Sequence, residues 1–273
     1  MNGGHKHRRR IIDRLAANAR VVAALGRRSV KQTLRRPQLA APLIIFPTAL
    51  LAIQTAGAGR AVDLPGFPPV DNFLSFMLAG AMIQSVLLTG NSGAIAFAID
   101  IEMGFTDRLF AAPISRYAVV LGRLTATAVL GAFIAVYYIA LGLIFGASMN
   151  EGVLGALWIT VLISASCLAF GSIGAAIALR SNSASVVQGM FPLVFVILFL
   201  SSAFFPANLM LDPAAWVAEY NPLSFIVEGI REPIIAGWSA EDQVKAVASI
   251  IGVGAFGLSL CALALRGRVR RGV

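Results

Sequence analysis

Between Ile99 and Arg123 the chain reads IDIEMGFTDRLFAAPISRYAVVLGR, and these 25 positions hold Asp100, Glu102, Asp107, Arg108, Arg116 and Arg123. Carboxylates and guanidinium groups at such density can serve a catalytic cluster or make charged contacts to another surface. No catalytic pattern accompanies them: the sequence has no HExxH, no GxSxG and no paired-carboxylate cluster inside an apolar run. It also lacks any Gly-Lys pair, which excludes a P-loop for ATP. The stretch therefore reads as a contact element.

The surrounding chain decides where such an element can lie. Its 273 residues are 58% hydrophobic and only 13% charged, with a mean hydropathy of +0.81. Soluble domains run nearer 45–50% apolar and about 25% charged. Six segments reach the roughly 20 residues that a bilayer crossing needs, near 38–59, 73–99, 118–146, 153–179, 186–205 and 244–265. The class is a polytopic all-α membrane protein. The first apolar run begins behind a long basic region and exceeds a cleavable leader's core, so it is expected to be an uncleaved span.

Loop charge sets the orientation. With a cytoplasmic N-terminus, 19 of the 22 Lys and Arg fall inside, and only Arg60, Arg231 and Lys245 outside. Nine of the 13 acids fall outside. Both termini are expected in the cytoplasm, and the +9 net charge is explained by orientation and anionic headgroups rather than by nucleic acid. In the hydrocarbon, Asp100, Glu102, Asp107 and Arg108 would cost on the order of 10 kcal/mol together. Their loop must therefore leave the bilayer, on the cytoplasmic side. Phe105, Leu109 and Phe110 recur at helical spacing within it, and Pro113 ends the helix. These apolar side chains are expected to be exposed for docking another protein, the alternative being a helix folded onto the bilayer surface.

The lead-in IIDRLAANARVVAALGRRSVKQTLRR is a candidate amphipathic helix. Ile11, Ile12, Leu15, Ala19, Val22 and Val30 share one sector; Asp13, Arg20, Arg27, Arg28, Lys31 and Arg35 share the other, and Pro37 ends the pattern. It either anchors the chain or also meets a cytoplasmic partner. On the opposite side lies SSAFFPANLMLDPAAWVAEYNPLSFIVEGIREPIIAGW, too apolar for a solvated loop and too charged to span. Asn221-Pro222 has the form of an N-cap with proline at the first helical position, Gly237 can end that helix, and a shorter helix is expected near Asp212–Tyr220. Glu228 and Arg231, three apart, can pair there.

The predicted spans carry no Asp, Glu or His in their central thirds, which argues against proton or sodium coupling. Gln54, Gln84, Ser85, Thr89, Asn91 and Gln188 are the polar exceptions. They make helix–helix hydrogen bonds or contact a substrate, and Gln84, Ser85, Asn91 and Gln188 are the candidate pathway residues. Cys167 and Cys261 lack any paired spacing, and His5 and His7 read as tail residues, so no metal or disulfide framework is expected.

GFTDRLFAAPISRYAVVLGR resembles the cytoplasmic loop of type-2 ABC transporter permeases, especially those like the daunorubicin/doxorubicin-resistance permease. Asp107, Arg108, Pro113, Arg116, Gly122 and Arg123 carry that likeness. SSAFFPANLM followed by NPLSFIVEGIR resembles the family's segment between its last two spans, with Glu228 where relatives often have aspartate. The resemblance implies an exporter membrane subunit that dimerises and binds two copies of a separate ATPase, which would hold ATP and Mg; this chain binds no cofactor. It implies a coupling helix at Glu102–Pro113 that includes Gly104, Phe105, Asp107, Arg108 and Leu109, with Arg116 beyond it and the lead-in helix at the same interface. Outer re-entrant helices built on Pro206, Asn221, Pro222, Glu228 and Arg231 would close a path lined mainly by the first, second and fifth spans.

The expected organisation is a basic tail and amphipathic helix at 1–37, a six-span domain at 38–265 with its coupling loop at 100–117 and outer segment at 206–238, and a basic tail at 266–273. The implied function is ATP-driven export of a hydrophobic drug, antibiotic or lipid-like molecule across a bacterial plasma membrane. The alternative is a membrane scaffold that recruits a cytoplasmic partner without transport.

Overall fold

A computed structural model describes residues 3–35, 37–112 and 114–270, with side chains from residue 16 onward except at 34, 37–40, 269 and 270. Pro113 and the side chains of His5, His7, Ile11, Ile12, Asp13 and Leu15 thus lie outside the described residues. Within them the chain is all-helical. The elements are α1 (Gly3–Leu34), α2 (Pro37–Ala58), α3 (Phe73–Glu102), α4 (Phe105–Ala111), α5 (Arg116–Ile144), α6 (Gly152–Ser181), α7 (Ala184–Gly189), α8 (Phe191–Phe199), α9 (Ala214–Tyr220), α10 (Pro222–Ile235) and α11 (Ala240–Arg270).

Five of these helices are long and apolar enough to cross a membrane: those covering Ala41–Asp63, Phe73–Glu102, Arg116–Ile144, Gly152–Ser181 and Ala240–Arg268. The segment expected to cross at 186–205 is different. It forms α7 and α8, broken at Met190, followed by turns through Ser201–Phe205. Gly189 weakens the helix and Pro192 removes a backbone donor just beyond it. The 16 residues of Ala184–Phe199 give about 24 Å of helix, short of the roughly 30 Å hydrocarbon core.

Helix α3 is the axis of the bundle, and every residue from Ser75 to Gly90 is buried. Its close approach to α6 depends on small residues. A Cβ on Gly90 would stand 3.1 Å from the Gly171 backbone nitrogen, and one on Gly174 would stand 2.5 Å from the Ala94 Cβ. Both members rise together from Gly90–Gly171 to Ala94–Gly174, so α3 and α6 run parallel. Helix α5 runs antiparallel to α6, with Gly131 against Cys167 and Ile163, and α11 packs along α6 with Gly257 against Ser172 and Ile173. Inside lipid, where apolar surface gives helices no reason to prefer one another, such approaches supply the van der Waals contact that holds a bundle together.

Proline shapes α2, which contains Pro42 and Pro47. The carbonyl of Ile44 accepts from the Thr48 hydroxyl at 2.7 Å and from the Tyr138 hydroxyl at 3.3 Å. Tyr138, fully buried, also receives the Ser85 hydroxyl proton at 3.1 Å. This network joins α2, α3 and α5 through polar atoms that hydrocarbon would otherwise leave unsatisfied. Cys167 and Cys261 are buried free thiols.

Gly90→Val places its branched side chain against backbone that cannot rotate away. It is expected to destabilise the fold by about 1–3 kcal/mol, read as a lower unfolding temperature in detergent.

Candidate functional site

One stripe of α3 organises the polar features. Phe76, Gly80, Gln84, Leu88, Asn91, Ile95 and Ile99 follow one another at spacings of three or four, so they share a helix face. At its C-terminal half this face lines a groove of about 560 Å³ together with Gln32 of α1, Pro42 and Leu43 of α2, and Gln188, Gly189, Phe191 and Pro192 of α7–α8. The groove thus brings Asn91 and Gln188 together, and it owes its far wall to the break at Met190. Phe191, Phe195 and Phe199 line up along α8, with Phe46 of α2 6.0 Å from Phe195 and Phe204 5.1 Å from Phe199.

Two other candidate pathway residues lie deeper. Ser85 is spent on Tyr138. Gln84, one turn beyond Leu88, is 1% exposed, and neither its amide oxygen nor its nitrogen has a partner. An orphaned buried amide costs about 1–3 kcal/mol, and this one lies one turn past Leu88, the first α3 residue to line the groove.

Two turns beyond Leu88 on the same face, α3 meets the turn after α8. At Gly80 the α3 backbone lies so close to the Ala203 carbonyl that no Cβ fits between them. Arg231 of α10 holds this turn in place. Its guanidinium, 2% exposed, donates to the Phe76 carbonyl at 3.3 Å, to the Ser202 and Ala203 carbonyls at 2.9 and 3.3 Å, and to Glu228 at 2.5 Å. It also lies 3.9 Å over the Phe76 ring, a cation–π contact. Glu228 in turn accepts from the Ser202 hydroxyl at 2.6 Å. The expected pairing of Glu228 with Arg231 is present, as one part of a larger cluster.

Asn221 completes the cluster. Its side chain accepts from the Leu223 amide at 2.9 Å, capping α10, while its amide nitrogen donates to the carbonyls of Ile197 and Leu200 at 2.9 Å each. One residue therefore ties the start of α10 to the end of α8. Pro222 follows at the first turn of α10. Pro206, buried, precedes the short turn Ala207–Leu209, whose Asn208 donates to the Gly66 carbonyl at 2.7 Å. Along α10, Ile226, Val227, Ile230 and Ile234 are fully buried.

The basic end of the bundle differs from expectation in one respect. Phe105, Leu109 and Phe110 do not stand free. Phe110 is buried against Phe97, Ile101, Val119 and Val120, and Leu109 packs on the same cluster. Phe105 lies under the Arg28 guanidinium at 3.9 Å. Helical spacing correctly puts these side chains on one edge, but that edge turns inward because α3 and α5 offer it apolar surface. What faces outward here is Met103, 74% exposed, with Glu102 at the end of α3 and Asp107 and Arg108 on α4. Gly104, at φ +67, makes the left-handed turn that separates α4 from α3.

The charges around α4 are also engaged. Glu102 accepts from the Ala184 amide at 2.8 Å and so caps the start of α7. Asp107 pairs with Arg268 of α11 at 3.3 Å, and Arg268 also bonds Asn182. Arg116 lies 5.4 Å over the Phe110 ring. Asp100, 8% exposed at its side chain, pairs directly with Arg123 of α5 and lies 3.9 Å from Arg28 of α1. Arg20, Arg27 and Lys31 lie on the exposed side of α1.

Helix α1 itself packs along α5, where a Cβ on Gly122 would stand 2.9 Å from the Leu25 Cβ. Comparison with protein families matches residues 20–235 to the ABC-2 type transporter. The chain belongs to this family. A comparison with curated proteins finds no match. The protein is therefore the membrane permease component of an ABC transporter, a multi-pass chain of a family that generally lacks its own ATPase site and works with an ABC ATPase.

Sequence reasoning on this permease missed three contacts. The Arg28–Asp100–Arg123 cluster joins three helices, and no local spacing encodes it. Glu102 capping α7 links residues 82 apart. Gly80 could have been suspected, since a glycine inside a long apolar helix marks a close approach.

Arg231→Met in this ABC-2 permease leaves Glu228 and the carbonyls of Phe76, Ser202 and Ala203 without their donor. It is expected to cost about 3–5 kcal/mol, whereas Glu228→Gln, partly exposed, costs less. Thermal unfolding of the two variants and protease sensitivity of the 200–213 segment check the order.

Proposed function

We propose that this permease exports a hydrophobic or amphipathic molecule through the α3-lined groove, driven by ATP bound with Mg on a separate ATPase docked at α4. Two copies of the chain pair in a bacterial inner membrane, with both termini cytoplasmic as the 19-to-3 split of basic residues favours. On this reading the basic end faces the cytoplasm, and the groove opens towards it. α7 and α8 enter the membrane as a broken sixth crossing, and α9–α10 form the re-entrant cover of the outer side.

The observation that carries the reading is the wiring of α4. It is a seven-residue helix with Phe110 and Thr106 anchored in the bundle. Met103 and Arg108 stand outward, free to contact a partner. Its flanking Glu102 holds the first amide of α7, and α7–α8 form the far wall of the groove. A push on α4 thus reaches the groove through one hydrogen bond and a short helix. On this reading the Gly80–Ala203 packing, two turns beyond the groove along α3, is the seal on the outer side. The unpartnered Gln84 amide lies where the path would continue, so opening would give it water or cargo to bond. A scaffold without transport has no use for a buried, unsatisfied amide at the end of a groove.

Met103→Asp with Arg108→Glu changes only outward side chains. The double variant is expected to insert and fold normally, to lose recovery of the ATPase partner, and to lose transport. Normal partner recovery and full transport would remove α4 as the coupling element. Asp107 is unsuitable for this test because its loss also frees Arg268. Gln84→Met supplies a second check: removal of the orphaned amide should raise stability by about 1–3 kcal/mol while slowing transport by vesicles.

A further inference from the structure

The groove does not end at apolar walls. At Gln32 it meets a second cleft of about 610 Å³, lined by Ala24, Arg27, Arg28, Lys31, Gln32 and Arg35. Gln32 lines both spaces. Four cations along one side of α1 therefore flank the groove where Gln32 joins it. Arg28 is partly committed, to Asp100 at 3.9 Å and to the Phe105 ring. Arg27, Lys31 and Arg35 have no ion pair among the described residues. The only carboxylate among those pairs near the mouth is Asp100, which is held by Arg123.

We infer that this site selects an anionic amphiphile, with its phosphate or carboxylate head on Arg27, Lys31 and Arg35 and its apolar tail in the groove. The inference rests on the groove being the transport path and names the class of cargo for it. Three observations point the same way. The cleft is unneutralised, and juxtaposed basic side chains attract anionic headgroups and disfavour cations. The groove beyond it is apolar apart from Asn91, Ser92, Gln32 and Gln188. Each space falls in the range of about 300–1,000 Å³ that small-molecule sites occupy. A cationic drug would bring its charge against three unpaired cations. A free phosphate would leave the apolar groove unfilled. Neither matches both halves of the site.

The test reads binding in the full chain without ATPase or ATP, so it is separate from transport. The permease is placed in phosphatidylcholine nanodiscs with a trace of phosphatidylglycerol bearing a photoreactive group on its acyl chain. Crosslinks are expected on the peptide holding Leu88, Asn91 and Ile95. The triple variant Arg27→Gln, Lys31→Gln, Arg35→Gln should lower them roughly tenfold or more, while Arg180→Gln, an exposed arginine outside the cleft, leaves them unchanged. A matched phosphatidylcholine probe should label weakly and respond to neither variant. Equal loss in the Arg180 variant would mean general surface attraction and overturn the proposal. Efficient competition by glycerol phosphate alone would reduce the site to a free-anion site and overturn it as well. So would unchanged labelling in the triple variant together with lost ATPase recovery, which would assign the cations to the partner. Should labelling behave as expected while Gln84→Met leaves transport untouched, the lipid site stands and the groove fails as the path.

Discussion

The structure depends on one buried guanidinium. Arg231 is 2% exposed in a bundle with little water to solvate it. A charge so placed is tolerated only when its donors are all spent and a counter-charge is near. Here a carboxylate, three backbone carbonyls and an aromatic face share it. The carbonyls are informative, because Ser202 and Ala203 belong to a turn that no helix satisfies. Without Arg231 those oxygens would need water where the turn meets α3. The same side chain thus allows the irregular backbone to exist and fixes it against Gly80.

The opposite end solves a related problem by sharing. Asp100, Arg123 and Arg28 come from three helices, and Asp107, Arg268 and Asn182 from three regions of chain. Each contact crosses an element boundary, so the charged end behaves as a clasp around α4. The Asp100–Arg123 pair is nearly buried, while Arg28–Asp100 and Arg268–Asp107 each have an exposed member and are individually weak; together they hold α4 while leaving Met103 and Arg108 outward. The three unpaired cations of α1 gain their meaning against this background. Arg28, Arg123 and Arg268 are engaged by carboxylates, whereas Arg27, Lys31 and Arg35 line one cleft together.

Much of this was legible in the sequence, and the boundary between legible and hidden is physical. Span length and absence of charge point to six crossings, and five of those segments are helices long and apolar enough to cross, because hydrocarbon tolerates few alternatives. The break at Met190 was hidden inside a run without charge, although Gln188, Gly189 and Pro192 stood there to be weighed. The Asn221 cap was readable, being local; its reach to Ile197 and Leu200 was not. Spacing put Phe105, Leu109 and Phe110 on one edge but could not say that Phe97 and Val120 would cover it. Asn91 and Gln188 share a groove although nothing in the run between them signals it. Periodicity reports which residues face together, and only packing reports what they face.

Under the proposed function the arrangement also limits where motion can occur. Helix α3 is enclosed by neighbours from Ser75 to Gly90, and close-packed interiors switch between discrete arrangements rather than deform smoothly. It is the fixed wall. Helices α7 and α8 are short, broken and largely exposed, with Val186, Leu193, Val196, Ile197 and Phe199 outward. They are held at one end by Glu102 and at the other by Asn221 and the Arg231 turn. Between these polar attachments only Val187 and Leu198 are buried, so the wall is loosely held there and can swing. Release at the Glu102 end opens the groove towards the basic side, and release at the Arg231 end opens it to the far side. Alternating access then needs no displacement of the bundle axis, only that the two attachments are never undone together.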